Sequence, residues 1–434
     1  MTEILVIVFG LACLGLVAWG MREKGRFYEF PFLAGGTFTG FVLPQLIGLR
    51  HDKDLPEGAV DKTIVMSILC LGMCYLGYIW RSRPMEKLNW KFSDARLMRV
   101  SALLVVVGAY FFFAISRLPE EMTKISQWTG LPVAYLFFAQ VLCYGFAIAF
   151  FLFARTGSKR ALAMAAFASL FYLDRIFLAG RRGVTLEFVF IILLSLWFGR
   201  RFALPRPVVL AGLIFGILAL HSTGDYRAAT SSEEDSKWEQ LKNIALLGNL
   251  KQQLTAGGNE LENAAYLIAG TEETRRFDFG AFHWNTLVFN FVPAQVLGEE
   301  FKQSLTIPLE PVDTYELYGY TPIPGVTITG MVDAFGSFWY LGCLKFFVIG
   351  LVLRRLYLGA MSGHFVASMF YMIIITSALH SITHHTQWFV SPWVHLSIFL
   401  LPALYFSQDS KWLTVVGSAA TGTFPARNGV PAKT

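Results

Sequence analysis

Long apolar runs recur along most of the chain and constrain its fold more than any other feature. As a helix, each run is long enough to cross a hydrocarbon core about 30 Å thick while satisfying its own backbone polar groups. Hydrophobic residues make up 55% of the chain and charged residues only 15%, whereas a soluble protein carries about a quarter charged residues. The sequence therefore predicts an all-α, polytopic integral membrane protein.

The apolar runs define eleven predicted membrane spans. Their approximate limits are residues 4–20, 29–49, 63–80, 99–116, 131–154, 161–179, 184–199, 207–223, 330–353, 364–380 and 392–407. The chain is thereby divided into an N-terminal bundle of eight spans (1–223), a large hydrophilic segment (224–329), a C-terminal bundle of three spans (330–408) and a tail (409–434).

Lys and Arg are concentrated in every second loop. If the N-terminus lies outside, the inner loops and the tail hold 20 of these residues, and the short outer connections before residue 200 hold eight, counting Arg175 at the end of the sixth span. Because cytoplasmic loops carry the excess of basic residues, this count predicts an outer N-terminus and a cytoplasmic C-terminus. The first apolar run is followed, not preceded, by its basic cluster, "MREKGR", which predicts a retained span and not a cleaved signal peptide.

The hydrophilic segment, residues 224–329, lies outside in this topology. It contains 15 acidic and seven basic residues, a net charge of −8. Within it, the stretch "DSKWEQLKNIALLGNLKQQL" places apolar residues on one helical side: Trp238, Leu241, Ile244, Ala245, Leu247 and Leu254. The pattern predicts an amphipathic helix that lies at the membrane surface or packs within the segment's own fold.

Five ionisable residues lie in "DRIFLAGRRGVTLE", around the turn between the sixth and seventh predicted spans. Charges within a membrane are costly and usually paired, so Arg175 and Glu187, at similar depth, are expected to form a salt bridge, with Asp174 beside them. Arg181 and Arg182 lie at the outer rim between glycines. Because guanidinium groups bind phosphate oxygens bidentately, these two predict an anion site; snorkelling to lipid headgroups is the alternative.

Arginines of the hydrophilic segment form a second group of candidate anion-binding residues: Arg227, Arg275 and Arg276. The segment is acidic overall, so only local arginines would attract an anionic headgroup to it. For each of these arginines a solvated surface position is the alternative.

Candidate general bases are numerous: Asp225, Asp278, Glu299, Glu300, Asp333, His380, His384 and His385. A histidine titrates near neutral pH and can deprotonate a hydroxyl group. The three clustered histidines have no carboxylate or cysteine beside them in the sequence, so no metal site is expected there. Lys345, in the middle of the ninth predicted span, is expected to be a paired structural residue.

Familiar catalytic motifs do not occur in the sequence, which has no Walker loop, dinucleotide fingerprint, serine elbow or zincin motif. Nucleotides are largely a cytoplasmic resource, whereas the large hydrophilic segment is predicted to lie outside. A reaction there would therefore take its energy from a substrate that is already activated.

Three segments resemble the bacterial O-antigen and oligosaccharide repeat-unit polymerases. They are "FLAGRRGVTLEF", "RRFDFGAFHWNTLVFNFVPAQVLGEEF" and "GVTITGMVDAFGSFWYLGCLKFFVIGLVLRRLY", and the resemblance covers roughly residues 150–360. The chain departs from the family at three places. Ala294 stands where an arginine often follows the proline, Glu299 and Glu300 stand near the family's lysine, and Asp333 stands where glutamate is common.

The resemblance implies a C-type glycosyltransferase-like fold with one large periplasmic loop, in the bacterial inner membrane. It implies a polymerase that transfers a growing glycan from undecaprenyl diphosphate to an incoming lipid-linked repeat unit. Arg181 or Arg182 would contact the diphosphate, and Arg227, Arg275, Arg276 and Tyr226 would bind a second phosphate or the glycan. Asp333, Asp278 and His385 are the candidate catalytic residues near the acceptor hydroxyl.

The expected partners are undecaprenyl-diphosphate-linked oligosaccharides, as donor and acceptor, and membrane lipids. A chain-length regulator is a further candidate partner, and no nucleic acid, cofactor or metal is expected, because arginines would stabilise the leaving group. An O-antigen ligase, which uses the same donor, is the closest alternative function. A transporter or flippase for lipid-linked sugars, which belongs to a different class, would place charges around a cavity at the membrane midplane.

Overall fold

The computed structural model describes residues 1–123, 130–177, 182–222, 224–226 and 244–409, and these residues are helical with no strand among them. In chain order the main helices are α1 (Thr2–Arg22), α2 (Phe30–Leu49), α3 (Ala59–Ile79), α4 (Asp94–Ser116), α5 (Leu131–Thr156), α6 (Lys159–Phe177), α7 (Arg182–Arg200), α8 (Arg206–His221), α9 (Leu246–Ala256), α10 (Asn259–Thr274), α11 (Ala281–Phe291), α12 (Gly330–Phe338), α13 (Leu344–Met361), α14 (Phe365–Thr383) and α15 (Gln387–Phe406). Short helical turns lie between them at Arg26–Tyr28, Glu86–Leu88, Glu120–Thr123, Ala294–Leu297, Glu299–Ser304, Thr314–Tyr318 and Trp339–Cys343. The predicted all-α class is confirmed for this part of the chain.

Nine segments of the described chain are long and apolar enough to cross a membrane, namely α1 to α5, α7, α12 with α13, α14 and α15. The two other predicted spans, 161–179 and 207–223, are also helical. One of them, α6, carries four charged residues, and the other, α8, has only 16 residues. The described chain thus has the helices of a polytopic membrane protein, and nine of its segments are both long enough and apolar enough to cross a membrane.

Close backbone contacts hold the spans together. The central helix α14 is buried along nearly its whole length. Where α3 crosses α13, a Cβ on Gly77 would lie 2.1 Å from the carbonyl oxygen of Phe347, and one on Gly350 would lie 2.6 Å from that of Cys74. Helices in lipid gain no hydrophobic stabilisation from packing on each other, so small residues that allow close van der Waals contact stabilise such crossings.

The hydrophilic segment packs on one end of the bundle, which we call the loop face. α9 packs on the end of α2, where a Cβ on Gly48 would lie 2.0 Å from the backbone nitrogen of Gly257. α10 packs on α3 and α12, and its Leu261 N–H donates to the Gln45 side chain of α2 at 3.2 Å. The segment is therefore a helical layer fixed to the spans.

Only the second half of the predicted amphipathic helix can be compared with the structure. Trp238 and Leu241 lie outside the described residues, and the described part forms α9. α9 packs on α2 and α8, while Leu247 of its predicted apolar side is 73% exposed. α9 therefore packs on helices of the N-terminal bundle, and its position at the membrane surface stays a prediction.

Candidate functional site

The carboxylate of Asp333, in the first turn of α12, is the centre of a buried polar cluster at the loop face. Only 3% of its side chain is exposed. Its Oδ2 accepts hydrogen bonds from the backbone N–H of Thr386 at 2.7 Å and from the Thr386 hydroxyl at 2.5 Å. Lys345 Nζ lies 3.3 Å from Oδ1, and His283 Nε2 lies 3.4 Å from Oδ2. Residues from α11, α12, α13 and the α14–α15 connection therefore meet at one carboxylate.

A break in the predicted ninth span brings Lys345 to this carboxylate. The sequence predicts one helix over residues 330–353, but Trp339 adopts a left-handed φ of 53° and α12 ends. In a straight helix the twelve residues from Asp333 to Lys345 would span about 18 Å. The intervening turn instead folds so tightly that a Cβ on Gly342 would lie 1.7 Å from a carbonyl oxygen of α12. Lys345 is also 2.7 Å from Ser337 Oγ, so its expected pairing is confirmed.

Close packing between α12 and α14 positions the Thr386 side of the cluster. A Cβ on Gly330 would lie 1.8 Å from the carbonyl oxygen of Ser381, so any larger residue there would separate the two helices. The Thr327 hydroxyl donates to the Thr383 carbonyl at 3.0 Å. These contacts fix the end of α14, and with it the connection that carries Thr386.

Asp278, a second predicted catalytic residue, joins α11 to α12. Its backbone N–H donates to the carbonyl of Gly336 at 3.0 Å, and its carboxylate accepts the N–H of Gly280 at 2.7 Å. An aspartate that bonds to the backbone two residues on forms a turn, and here the turn begins α11. Asp278 therefore lies next to the cluster and helps to place His283.

His283 has one ring nitrogen in the cluster and one that is unused. Its Nε2 lies 2.8 Å from Thr386 Oγ1. Since the Thr386 hydroxyl donates its hydrogen to Asp333, Nε2 of His283 carries the hydrogen that points to Thr386, and in the neutral form of the ring the lone pair then lies on Nδ1. Nδ1 is buried and has no hydrogen-bond partner among the described residues. The Asp333 carboxylate, the Thr386 hydroxyl and the His283 imidazole thus form a hydrogen-bonded chain, and Nδ1 at its end is a proton acceptor.

His385, the third predicted catalytic residue, lies immediately before Thr386. Its ring is 4.9 Å from the ring of Phe282, the neighbour of His283. Burial lowers the pKa of His385 below its usual value, and the Lys345 charge acts in the same direction while Asp333 opposes it. The His385 imidazole is therefore neutral at neutral pH and can accept a proton.

The arginines predicted to bind a diphosphate fall largely outside the structure. Arg181 and Arg227 lie outside the described residues, as does the side chain of Arg182, whose backbone begins α7. The next residue, Gly183, packs on α14, and a Cβ there would lie 2.8 Å from Cε1 of His380. The start of α7 therefore lies against the same end of α14 as the Asp333 cluster.

The remaining predicted binding residues lie on the surface of the helical layer or beside α9. Arg275 is exposed and ends α10 with a left-handed φ of 56°. Arg276 donates to the carbonyl of Pro311 at 3.2 Å and lies 3.4 Å from the Glu310 carboxylate. Tyr226 is half-buried just after α8, a helix that packs on α9 and α2. The structure groups the three candidate catalytic residues more closely than these binding residues.

The charged residues of the α6–α7 hairpin have aromatic neighbours. Glu187 accepts a hydrogen bond from the Tyr172 hydroxyl at 2.9 Å. The Arg175 guanidinium lies 5.4 Å from the centre of the Phe112 ring. These contacts satisfy both groups within the membrane spans, and the ion pair between them stays a prediction.

Sequence reasoning did not single out His283 or Thr386. His283 lies within the quoted stretch "RRFDFGAFHWNTLVFNFVPAQVLGEEF", in which a histidine that follows a glycine-containing turn is a signal that could have identified it. Thr386 follows the three clustered histidines but has no local signal of its own. Among the described residues, no group of three His, Cys, Asp or Glu side chains is placed to hold a metal ion.

The fold and the site are those of a helical membrane protein in which Asp333, Thr386 and His283 are joined by hydrogen bonds at the end of the bundle that the helical layer covers. Comparison of the chain with protein-family models, curated proteins and solved structures finds no match. The resemblance to repeat-unit polymerases therefore stays an expectation that depends on the three sequence segments.

Proposed function

We propose that the protein is a glycosyltransferase that joins undecaprenyl-diphosphate-linked oligosaccharide repeat units into O-antigen or exopolysaccharide chains. The loop face would be the periplasmic face of a bacterial inner membrane. One observation carries the proposal: His283 Nδ1 is a buried acceptor with no partner among the described residues, at the end of a chain formed with Thr386 and Asp333. A proton acceptor in this setting suits deprotonation of a sugar hydroxyl.

In the proposed reaction, a hydroxyl oxygen of the incoming repeat unit attacks the anomeric carbon of the growing chain. The hydroxyl proton passes to His283 Nδ1 as the new C–O bond forms. The bond from the anomeric carbon to undecaprenyl diphosphate breaks, and its electron pair stays on the diphosphate oxygen. Asp333, through Thr386, stabilises the imidazolium ion that forms on His283, as a carboxylate does in other histidine-based sites.

The leaving diphosphate needs positive charge in the transition state. Arg181 and Arg182 are the proposed source, because α7 begins against the His380 end of α14 and guanidinium groups bind phosphate oxygens bidentately. Lys345 is held by Asp333 and Ser337, so it acts as a positioning residue for the carboxylate. His385 is the proposed second acceptor, since it lies beside Thr386 and its lowered pKa keeps the ring unprotonated at neutral pH.

Reconstitution tests this proposal directly. Purified protein in proteoliposomes receives defined undecaprenyl-diphosphate-linked repeat units, and the products are separated on a gel. We expect a ladder of products that differ by one repeat unit, formed equally with and without a chelator. A core lipid acceptor is added in a second arm. Product on that acceptor without a ladder would assign the chemistry to a ligase, and no glycan transfer in either arm would contradict a glycosyltransferase.

A further inference from the structure

α11 runs from the loop face along α15 towards the membrane interior. It begins at the loop face, where His283 lies 2.8 Å from Thr386, just before α15. At its other end the Phe291 ring is 6.4 Å from Phe137, which lies 4.8 Å from the ring of His395 in α15. From His283 to Phe291 in α11 the chain advances eight residues, and from Thr386 to His395 in α15 it advances nine. Each distance corresponds to about 12–14 Å of helix. Since the start of α11 lies near the start of α15 and the end of α11 lies near Phe137 and His395, the two helices point the same way.

The chain then turns and comes back along α11. Lys302 Nζ donates to the carbonyl of Phe289 at 2.9 Å. The Asn285 side chain donates to the carbonyl of Ile307 at 2.7 Å and accepts its N–H at 2.8 Å. Residues 281–309 therefore form two legs joined by hydrogen bonds, with a tip that points away from the loop face. We call this element the re-entrant hairpin.

The re-entrant hairpin carries large apolar side chains that no part of the described chain covers. Phe289 is 72% exposed, Val296 78%, Leu297 51% and Phe301 49%. Next to Phe137, Phe138 on the span α5 is also exposed. An apolar surface that continues that of a membrane span is suited to acyl chains. Non-helical backbone near lipid must be satisfied by protein, and the side chains of Trp284 and Asn285 donate to the carbonyls of Leu305 and Ile307 in the returning leg at 2.7 Å each.

Charges near the tip limit how deep the hairpin lies. Glu299 and Glu300 begin the returning leg, and Lys302 lies 4.7 Å above the Phe289 ring. A lysine can keep its stem on an apolar surface, as Lys302 does beside Phe289, whereas the two carboxylates would be costly below the headgroups. An element of this kind buries its apolar face about 5–10 Å into the boundary between headgroups and acyl chains.

We propose that residues 281–309 form a membrane-embedded re-entrant hairpin whose apolar face is occupied by lipid acyl chains in the leaflet next to the loop face. The hairpin is anchored beside α15 and carries His283 at its first turn, so it holds this residue at the boundary between water and lipid. The proposal concerns the position of the segment and does not depend on the proposed reaction.

Spin-label accessibility in proteoliposomes tests the proposal. Phe289→Cys places a nitroxide on the first leg and Val296→Cys places one at the tip. Tyr315→Cys is the matched control, because Tyr315 is 69% exposed and lies between Asp313 and Glu316. The unmodified protein, whose five native cysteines include four buried ones, gives the labelling background. Collisions with molecular oxygen and with a water-soluble nickel chelate are compared at each site.

We expect the labels at positions 296 and 289 to favour oxygen several-fold over the chelate, and the label at 315 to show the reverse. The same chelate accessibility at 296, 289 and 315 would place the hairpin in water and overturn the proposal. Low accessibility to both reagents would mean that protein, such as a second copy of the chain, covers the face, which would also overturn it. Two labelled sites keep the test valid if one variant fails to fold.

Discussion

Two ion pairs lie at opposite ends of the bundle and differ in what surrounds them. At the loop face, Lys345 is 3.3 Å from Asp333, and at the other end Arg354 is 3.4 Å from Glu29. The Asp333 pair also contacts Thr386 and, through it, a histidine, whereas the Arg354 guanidinium lies 5.1 Å over the ring of Tyr78. The separations of the charges are almost equal, so distance does not distinguish the two sites.

The difference shows that a buried ion pair is weak evidence for function by itself. Removing one partner of such a pair destabilises a protein whether or not the site is active, because a charge is left without compensation. What distinguishes the loop-face cluster is the uncommitted Nδ1 of His283. The comparison therefore predicts that changes at either end destabilise the protein, and that changes at the loop face also reduce activity.

His283→Ala should have the largest effect on activity. Without the proposed acceptor, the rate of polymer formation is expected to fall by about 10²–10⁴, the usual contribution of general base catalysis. His51→Ala is the control, since the His51 side chain is 71% exposed on the connection between α2 and α3. Rates per folded protein, measured in proteoliposomes, check this prediction, and an unchanged rate in His283→Ala would refute it.

Lys345→Met and Arg354→Met compare the two ion pairs directly. Lys345→Met leaves the Asp333 carboxylate uncompensated and should cost about 3–5 kcal/mol of stability. Arg354→Met should cost less, because the Arg354 side chain is 31% exposed. Thermal unfolding in detergent measures both losses. Per folded protein, the rate should fall for Lys345→Met and hold for Arg354→Met, and equal rates in the two would contradict a special role for the loop-face pair.

Gly183→Ala tests whether the start of α7 must lie against α14. The added methyl group would meet the His380 ring at 2.8 Å, so we expect overpacking of about 1–3 kcal/mol and a lower rate of polymer formation. Gly212→Ala is a matched control within α8, because no atom of the described residues lies within 4 Å of the position that a Cβ on Gly212 would take. If both variants unfold at the same temperature, the contact between α7 and α14 is not tight.

The smallest predicted effect is a change in pH dependence at His385. Its pKa in the folded protein is lowered from the usual value of 6.5, so the unfolded chain binds the proton more tightly. The contribution of His385 to stability is therefore present above pH 6.5 and is lost as the pH falls through the folded pKa. His385→Gln should flatten the decrease in unfolding temperature below pH 6.5. A decrease equal to that of the unmodified protein would show that other groups cause it.

Much of the fold was predictable from local sequence, because lipid requires long apolar helices. The spans 29–49 and 364–380 correspond closely to Phe30–Leu49 and Phe365–Thr383. The break at Trp339 was not predictable, because the surrounding residues are apolar and the left-handed φ of Trp339 depends on packing between α12 and the following turn.

The candidate site was predictable only in part. Asp333 was identifiable as a charge at the start of an apolar span, and Lys345 as a charge within it. The role of His283 depends on distant contacts, including that of Asp278 with Gly336, which fixes the start of α11. No local pattern in the sequence reports contacts between residues so far apart, so the Asp–Thr–His chain became visible only in three dimensions.

A double-mutant cycle on His283 and Thr386 tests the central claim most directly. His283→Ala, Thr386→Val and the double variant are compared with the unmodified protein in the reconstituted polymerisation assay. If Asp333, Thr386 and His283 act as one unit, the double variant should be no slower than the slower single variant, because the second change removes nothing that still acts. Losses that simply add in free energy would show that the two side chains act independently, and would contradict the account.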